Sequence, residues 1–271
     1  MTTHPLTWLY APGDRPHVVG RALASGADVV VVDLEDAVAP DRKEYARAAT
    51  AELLTGSQPL PVHVRVNALD GPWAAADLAA VAGLPGLSGL RLPKVVAPGA
   101  VVRVAADAPG TPLYALLESA LGVERAFAIA AAHPALRGIA LGEADLRADL
   151  GVTGDPGLDW SRSRVVVAAR AAELAPPCQS VHPDTRDLEG LAASCAHGRA
   201  LGFLGRAAIH PRQLPVIERA YQPTAAELEA AEAVVKAAAV ERGALALPDG
   251  RFVDAAVVAA AHRTLALSRR P

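Results

Sequence analysis

Along the chain, short apolar runs alternate with longer stretches in which apolar residues return every three or four positions. The first kind reads as strand and the second as helix, because strand side chains repeat every two residues and helical ones about every 3.6. The apolar runs are Thr7–Ala11, Asp28–Leu34, Pro61–Asn67, Gly89–Pro93, Leu113–Leu117, Gly138–Leu141, Cys178–His182 and Gly202–His210. Val29-Val30-Val31-Val32 is the clearest, since a continuous β-branched run without polar alternation fits a strand covered on both faces. Helices are predicted over Arg15–Ser25, Asp41–Leu54, Trp73–Ala82, Gly122–Ala132, Ser161–Leu174 and Leu188–Leu201. The βαβα order predicts a parallel sheet with helices outside it.

Eight strands alternating with helices predict a closed (β/α)8 barrel over residues 1–222, although an open doubly wound sheet satisfies the same alternation. The tail, residues 223–271, exceeds what eight units need and reads as a C-terminal helical extension. Its helices are predicted over Thr224–Glu241 and Phe252–Ser268, joined by a turn-forming segment, Gly243–Gly250. Thr224 followed by Glu227 matches a capping box after Pro223. Such an extension packs on its own barrel or on a neighbouring subunit.

A length of 271 residues allows two small domains or one large barrel and does not decide between them, and 52% apolar residues with only 4% aromatic ones imply a core of Ala, Val and Leu. The net charge of −3, with Lys and Arg dispersed, leaves no basic patch for a nucleic-acid backbone. Cys178 and Cys195 lack a metal-site spacing and read as core thiols in a reducing compartment. Met1–Asp14 has no signal-like charge and apolar pattern, and nothing later has the length and apolarity of a membrane span. The expected location is the cytoplasm.

In a (β/α)8 barrel the active site lies at the C-terminal ends of the strands. There this chain carries Asp33-Leu34-Glu35-Asp36 after strand 2, Arg65-Val66-Asn67 at strand 3, Lys94 after strand 4, and Glu118 at strand 5. Glu143 and Asp145 follow strand 6, and His210 ends strand 8. A single charge past a strand is often a helix cap, and Asp36 and Asp145 each fit that role. Several acids at one mouth, however, require cations to offset their desolvation, and Arg65, Lys94 and a bound metal would supply them.

Carboxylates without a Cys or His pair favour a hard cation, and Mg²⁺ takes one or two carboxylates plus waters and substrate oxygens. Glu118 and Asp145, from adjacent strands, are the chosen pair; the alternative is that Glu118 simply pairs with Arg65. Other motifs carry less. No Walker sequence occurs, Gly151–Gly154 reads as a turn, Ser119 has no nucleophile elbow, and His133, His182, His197 and His262 lack a two-His metal spacing.

The segments Asp33-Leu34-Glu35-Asp36-Ala37-Val38, Arg65-Val66-Asn67, Leu92-Pro93-Lys94, Leu117-Glu118-Ser119-Ala120, Gly142-Glu143-Ala144-Asp145-Leu146 and Ile209-His210-Pro211 form an ordered set. In that order the chain resembles the citrate lyase β-subunit-like family of the wider HpcH/HpaI aldolase/citrate lyase superfamily. Arg162-Ser163-Arg164 and Gly250-Arg251-Phe252-Val253-Asp254 extend the likeness into the tail. The resemblance implies a TIM barrel, usually a homotrimer, acting as a Mg²⁺-dependent carbon–carbon lyase on a 3-hydroxyacyl-CoA thioester to give a keto acid and an acyl-CoA. It implies Glu118 and Asp145 as metal ligands, Arg65 as a catalytic and substrate-binding residue, and Lys94 as a further substrate contact. Glu35 and Asp36 are implied to orient the metal waters or Arg65, and Asp254 to act as an acid in a neighbouring subunit's site.

The chain departs from relatives at Gly202-Phe203-Leu204-Gly205-Arg206, at Ala144, and in Cys178-Gln179-Ser180-Val181, which lacks a common aspartate. Two further readings are carried: a citryl-thioester lyase subunit acting on an acyl-carrier protein, and a non-catalytic barrel that binds a metal or keto acid.

Overall fold

The computed structural model describes residues 4–240, 245–246, 250 and 252–268. Its sheet is built from parallel strands β1 (Thr7–Pro12), β2 (Val29–Asp33), β3 (Val62–Arg65), β4 (Leu87–Leu92), β5 (Leu113–Leu117), β6 (Leu136–Leu141) and β7 (Arg206–Ala208). Their order in space is β6-β5-β4-β3-β2-β1-β7, so each of the first six strands lies beside its chain neighbour. Helices α1 (Pro16–Leu23), α2 (Lys43–Leu54), α3 (Ala74–Val81) and α4 (Pro98–Asp107) follow the first four strands in turn. The short α5 (Ala120–Glu124) and α6 (Ala126–Ala130) follow β5, and α7 (Glu143–Leu150), α8 (Asp159–Ala171) and α9 (Leu188–Leu201) lie between β6 and β7.

Burial of the β2 valines explains why this run is strand: Val30, Val31 and Val32 have no exposed surface at all. Each such side chain contributes about 1.5–3 kcal/mol of burial relative to exposure. The sheet is curled. Trp8, Val29 and Val31 from β1 and β2 share one cluster with Leu116 of β5, Ala140 of β6, and Cys178, contacts a flat sheet cannot make.

Four sequence expectations are modified. Cys178–His182 was expected to be a full strand, but it contributes one parallel bridge, between Gln179 and Arg206. Pro176-Pro177 before it and Pro183 after it lack backbone N–H donors, which limits the ladder to its middle. The helix expected over Gly122–Ala132 is two short helices meeting at Arg125, where ψ is 9°. The strand expected over Gly202–His210 is confined to Arg206–Ala208. His210 instead caps the turn Pro211–Gln213, its ring accepting from the Arg212 N–H.

The chain divides into two compact units, one spanning Pro5–Ala220 and the other taking in the tail from Tyr221. Helix α10 (Leu214–Tyr221) ends at this division. In the tail unit, α11 (Ala225–Val240) begins with the expected capping box: Thr224 N–H donates to Glu227 Oε2 at 2.8 Å, and Glu227 N–H donates back to Thr224 Oγ1 at 3.2 Å. β8 (Leu245–Ala246) pairs antiparallel with β9 (Phe252–Val253), and α12 (Ala255–Leu267) follows. Ala231, Val234, Val253 and Ala261 form the small core of this unit. Residues 241–244, 247–249 and 251, including Glu241, Gly243 and Arg251, lie outside the described residues.

No helix among the described residues is long and apolar enough to cross a membrane.

Candidate active site

A cavity of about 440 Å³ opens at the C-terminal ends of the strands, lined among others by Asp33, Arg65, Arg91, Glu118, Asp145 and Cys178. The parallel register explains the gathering. Asp33 at the end of β2 is the register partner of Arg65 at the end of β3, which is in turn the partner of Arg91 in β4.

Asp33 and Arg65 form a fork. Arg65 Nε donates to Asp33 Oδ1 at 2.7 Å and Nη2 to Oδ2 at 2.6 Å. Asp33 also accepts from the Glu35 and Ala37 backbone N–H groups, so its carboxylate is fixed from both sides. Asp33, rather than Glu35 or Asp36, thus makes the paired contact with Arg65. Strand alternation signals it, because Val29, Val31 and Asp33 fall on one face.

Glu35 is buried and lies between two cations, with Oε2 3.0 Å from Arg65 Nη1 and Oε1 accepting from Lys94 Nζ at 2.6 Å. The Arg65 contact lacks hydrogen-bond alignment, since Oε2 has no aligned donor. Burial raises the Glu35 carboxyl above its ordinary range, with Arg65 and Lys94 pulling the other way. Asp36 is more distant, 3.5 Å from Arg65 Nη1, and its side chain is largely exposed. Lys94 adopts a left-handed backbone, φ 54°, and lines a neighbouring cavity with Glu35, Asn67 and Trp73. Its ammonium pairs with Glu35 and lies 3.7 Å from Asp36 Oδ1.

Glu118 is buried, and its Oε2 has no hydrogen-bond partner. Burial first, then the nearby Glu35 and Asp145 charges, push its carboxyl up to about 8, although Arg65 and Lys94 oppose this. Gly142, just past β6, leaves the space that this side chain crosses. Asp145 lies in the first turn of α7, exposed and facing the same cavity. The start of α7 is clamped by buried Arg162, whose Nε and Nη2 donate to Glu143 Oε1 and Oε2 at 2.9 and 2.7 Å. Those bonds tie α7 to α8, and Arg162 Nη1 also donates to Asp155 and Asp159. Ser119 is a helix cap, accepting from the Gly122 N–H.

This donor set fits a hard cation. Five carboxylates, those of Asp33, Glu35, Asp36, Glu118 and Asp145, gather here, and the ion pairs they form are with Arg65 and Lys94. An orphaned, buried carboxylate oxygen beside an exposed carboxylate is where an added positive charge lowers the energy most. Among the described residues no group of three or more His, Cys, Asp or Glu side chains gathers as a metal site. That is compatible with Mg²⁺, which needs one or two carboxylates and completes its octahedron with water and substrate.

Asp254 belongs to the tail unit, where it caps α12 by accepting from the Ala256 and Val257 N–H groups at 2.9 and 3.0 Å. The structure thus gathers Arg65, Glu35, Glu118 and Asp145, with Asp36 at the edge, in the Pro5–Ala220 unit.

A profile of the HpcH/HpaI aldolase/citrate lyase family matches residues 6–211. A (3S)-malyl-CoA thioesterase of Cereibacter sphaeroides is 36% identical over 273 residues, covering 97% of this chain and 94% of the relative. A citrate lyase subunit beta-like protein of Mycobacterium tuberculosis is 37% identical over 267 residues, covering 95% and 93%. Among solved structures, the Mycobacterium tuberculosis CitE protein in complex with magnesium, acetoacetate and coenzyme A superimposes with a TM-score of 0.84, at 34% identity over 98% of each chain.

Proposed function

The chain belongs to the HpcH/HpaI aldolase/citrate lyase family, and from that premise we propose that it is a Mg²⁺-dependent carbon–carbon lyase of 3-hydroxyacyl-CoA thioesters. Malyl-, citramalyl- and hydroxymethylglutaryl-CoA are the substrate candidates, each split into a carbonyl product, a keto acid for most, and an acyl-CoA. The observation that carries this reading is the orphaned Glu118 carboxylate beside Asp145, at a mouth whose acids outnumber its cations. Relatives solved with magnesium and acetoacetate, pyruvate or oxaloacetate support the ligand class.

Glu118 and Asp145 would hold the metal, which when bound supplies Lewis-acid polarisation of the substrate oxygens. Arg65 spends one N–H each from Nε and Nη2 on Asp33 and turns Nη1 toward Glu35. A guanidinium has five N–H donors, so two remain for a substrate carboxylate or carbonyl oxygen. Cleavage converts the substrate hydroxyl into a carbonyl as its proton leaves and the adjacent C–C bond breaks, and the released thioester enolate takes a proton on carbon. Asp254 of a neighbouring copy is our candidate for that acid, within a homotrimer, and for the base in the reverse condensation. The wider assignment treats residues 1–222 as a closed catalytic barrel, with Cys178–His182 as its eighth stave, and 223–271 as an extension serving the neighbour. We place the enzyme in the cytoplasm.

The test is a thioester panel assayed with Mg²⁺ and with chelator. Glu118→Ala and Asp145→Ala should each abolish metal-dependent cleavage, and activity that survives both would sink the metal assignment. Mixing Arg65→Ala with Asp254→Ala protein should restore activity if the acid acts across subunits.

The likeness to a (3S)-malyl-CoA thioesterase favours a second reading, hydrolysis of the thioester. There water adds at the acyl carbon, the C–S bond breaks, and free acid and CoA thiol leave with the C–C bond intact. Product analysis separates the two: malyl-CoA yields glyoxylate and acetyl-CoA by cleavage, malate and CoA by hydrolysis.

A further inference from the structure

The helix that carries Asp145 has no side-chain cap of its own. An α-helix leaves its first N–H groups without intrahelical partners, and the side chain of the residue before it commonly accepts from them. Before α7 stands Gly142, where a β-carbon would collide with Glu118 and where no side chain is available to cap. The helix start is held from outside instead. The Glu143 N–H donates to Ser180 Oγ at 3.2 Å, and the Glu143 carboxylate receives the two-pronged bond from Arg162.

Arg162 is itself firmly anchored. Its side chain is buried, and Nη1 donates to Asp155 Oδ2 at 2.8 Å and to Asp159 Oδ1 at 3.0 Å. It belongs to α8, which sits on the core through the fully buried Val165, Ala168 and Ala169. Two acids in the first turn of α7, Glu143 and Asp145, line the active-site cavity, and both carry the oxygen donors a hard cation takes. Glu143 commits both carboxylate oxygens to Arg162, whereas Asp145 is exposed. A carboxylate whose charge a guanidinium already offsets attracts a cation less.

We propose that Arg162 is a positioning residue for the metal site: by binding Glu143 it fixes the first turn of α7 and leaves Asp145 as the acid which that turn presents to Mg²⁺. The inference rests on the reading given above that Glu118 and Asp145 hold the metal, and it adds the residue that selects between the two acids of α7. Arg162 is not among the residues that line the cavity, so its influence on the metal runs through α7.

The experiment is a calorimetric Mg²⁺ titration of the wild type, Arg162→Met, Arg162→Lys, Asp145→Ala and the Arg162→Met, Asp145→Ala double variant, each well below its melting temperature. Charge alone predicts one sign, since deleting a cation near the site tightens Mg²⁺ binding. Positioning predicts the other: Arg162→Met should weaken binding roughly 10- to 100-fold, the range for a residue that supports a metal ligand. Arg162→Lys keeps the charge but cannot form the fork, and should weaken it by less. In the Asp145→Ala background, Arg162→Met should add no further loss, because its effect runs through Asp145. Unchanged or tighter binding by Arg162→Met overturns the proposal, and so does an equal loss in both backgrounds. A purely structural Arg162 would lower Tm and leave the affinity of the folded protein as it was. Should Arg162→Met not fold, Arg162→Lys decides, and wild-type affinity there overturns the proposal. If the wild type does not bind Mg²⁺, or Asp145→Ala binds it as tightly as the wild type, the metal reading itself fails, and the positioning role with it.

Discussion

The side chain of Glu118 crosses Gly142 so closely that a β-carbon at position 142 would stand 2.5 Å from Glu118 Oε1 and 2.6 Å from its Cγ. The glycine at the end of β6 is thus part of how a carboxylate at the end of β5 reaches the cavity.

Gly142→Ala should therefore push the Glu118 carboxylate off its position while leaving both proposed ligands in the sequence. Mg²⁺ affinity is expected to fall roughly 10- to 100-fold, the range found when a residue supporting a metal ligand is changed. Overpacking should cost the fold about 1–3 kcal/mol. A calorimetric Mg²⁺ titration decides the matter, and unchanged affinity would show that Glu118 is not held in place this way.

In the metal-free protein, Glu118 should make stability fall with rising pH. Its folded carboxyl titrates at about 8 against an ordinary value of 4.5, so across that window the folded state keeps a proton the unfolded chain has lost. Its stabilising share is full below 4.5 and gone above about 8. Thermal melts in chelator should show a Tm that declines over this range in the wild type and declines less in Glu118→Gln. Parallel curves for the two proteins would contradict the shift.

Asp33→Asn tests the fork on Arg65. The amide keeps the shape but removes the negative charge from a buried pair and replaces one acceptor oxygen with a donor. A loss of about 3 kcal/mol in unfolding free energy is expected for an uncompensated buried charge. Substrate affinity should also weaken, because Arg65 loses its bidentate anchor. A variant that melts like the wild type would mean that Glu35 and Asp36 suffice as counter-ions.

Lys43 is a buried cation that the linear pattern gave no reason to single out. Its Nζ donates to the carbonyls of Leu34 and Glu35 at 2.7 and 2.6 Å and lies over the Trp73 ring. Lys43→Met leaves those carbonyls without the ammonium and should cost about 2 kcal/mol. It should also loosen Glu35, raising KM for the substrate more than it lowers kcat. A KM unchanged from wild type would reduce Lys43 to a purely structural role.

What the sequence made legible follows strand parity and position. The alternating βα pattern and the acids past the strand ends located the mouth, and the motif set nominated Arg65, Glu118 and Asp145, all of which line one cavity. Asp33 and Arg91 have no signal in the sequence beyond strand parity, which places both inward. Lys43 follows Asp41 and Arg42 near a helix start, a charge pattern that also describes solvated surface. The Arg162 clamp on Glu143 joins residues 19 positions apart, on two helices whose relative placement no local pattern encodes. Cys178–His182 has the apolar content of a strand, and only its flanking prolines hint that its ladder is short.

The strand order has a consequence for how the mouth assembles. Asp33, Arg65, Glu118 and Asp145 come from β2, β3, the end of β5 and the segment after β6, and with β4 between β3 and β5 these strands follow one another across the sheet in chain order. Each neighbour is reached by closing a single βα loop, and the entropy lost in closing a loop grows only with the logarithm of its length. The pairing of β1 with β7 is of another kind, since it brings Thr7 to Arg206 across most of the chain. Contacts between near neighbours form faster than distant ones. The acids and their guanidinium are thus joined by local connections alone, and only the pairing of the C-terminal strand closes a loop across most of the chain.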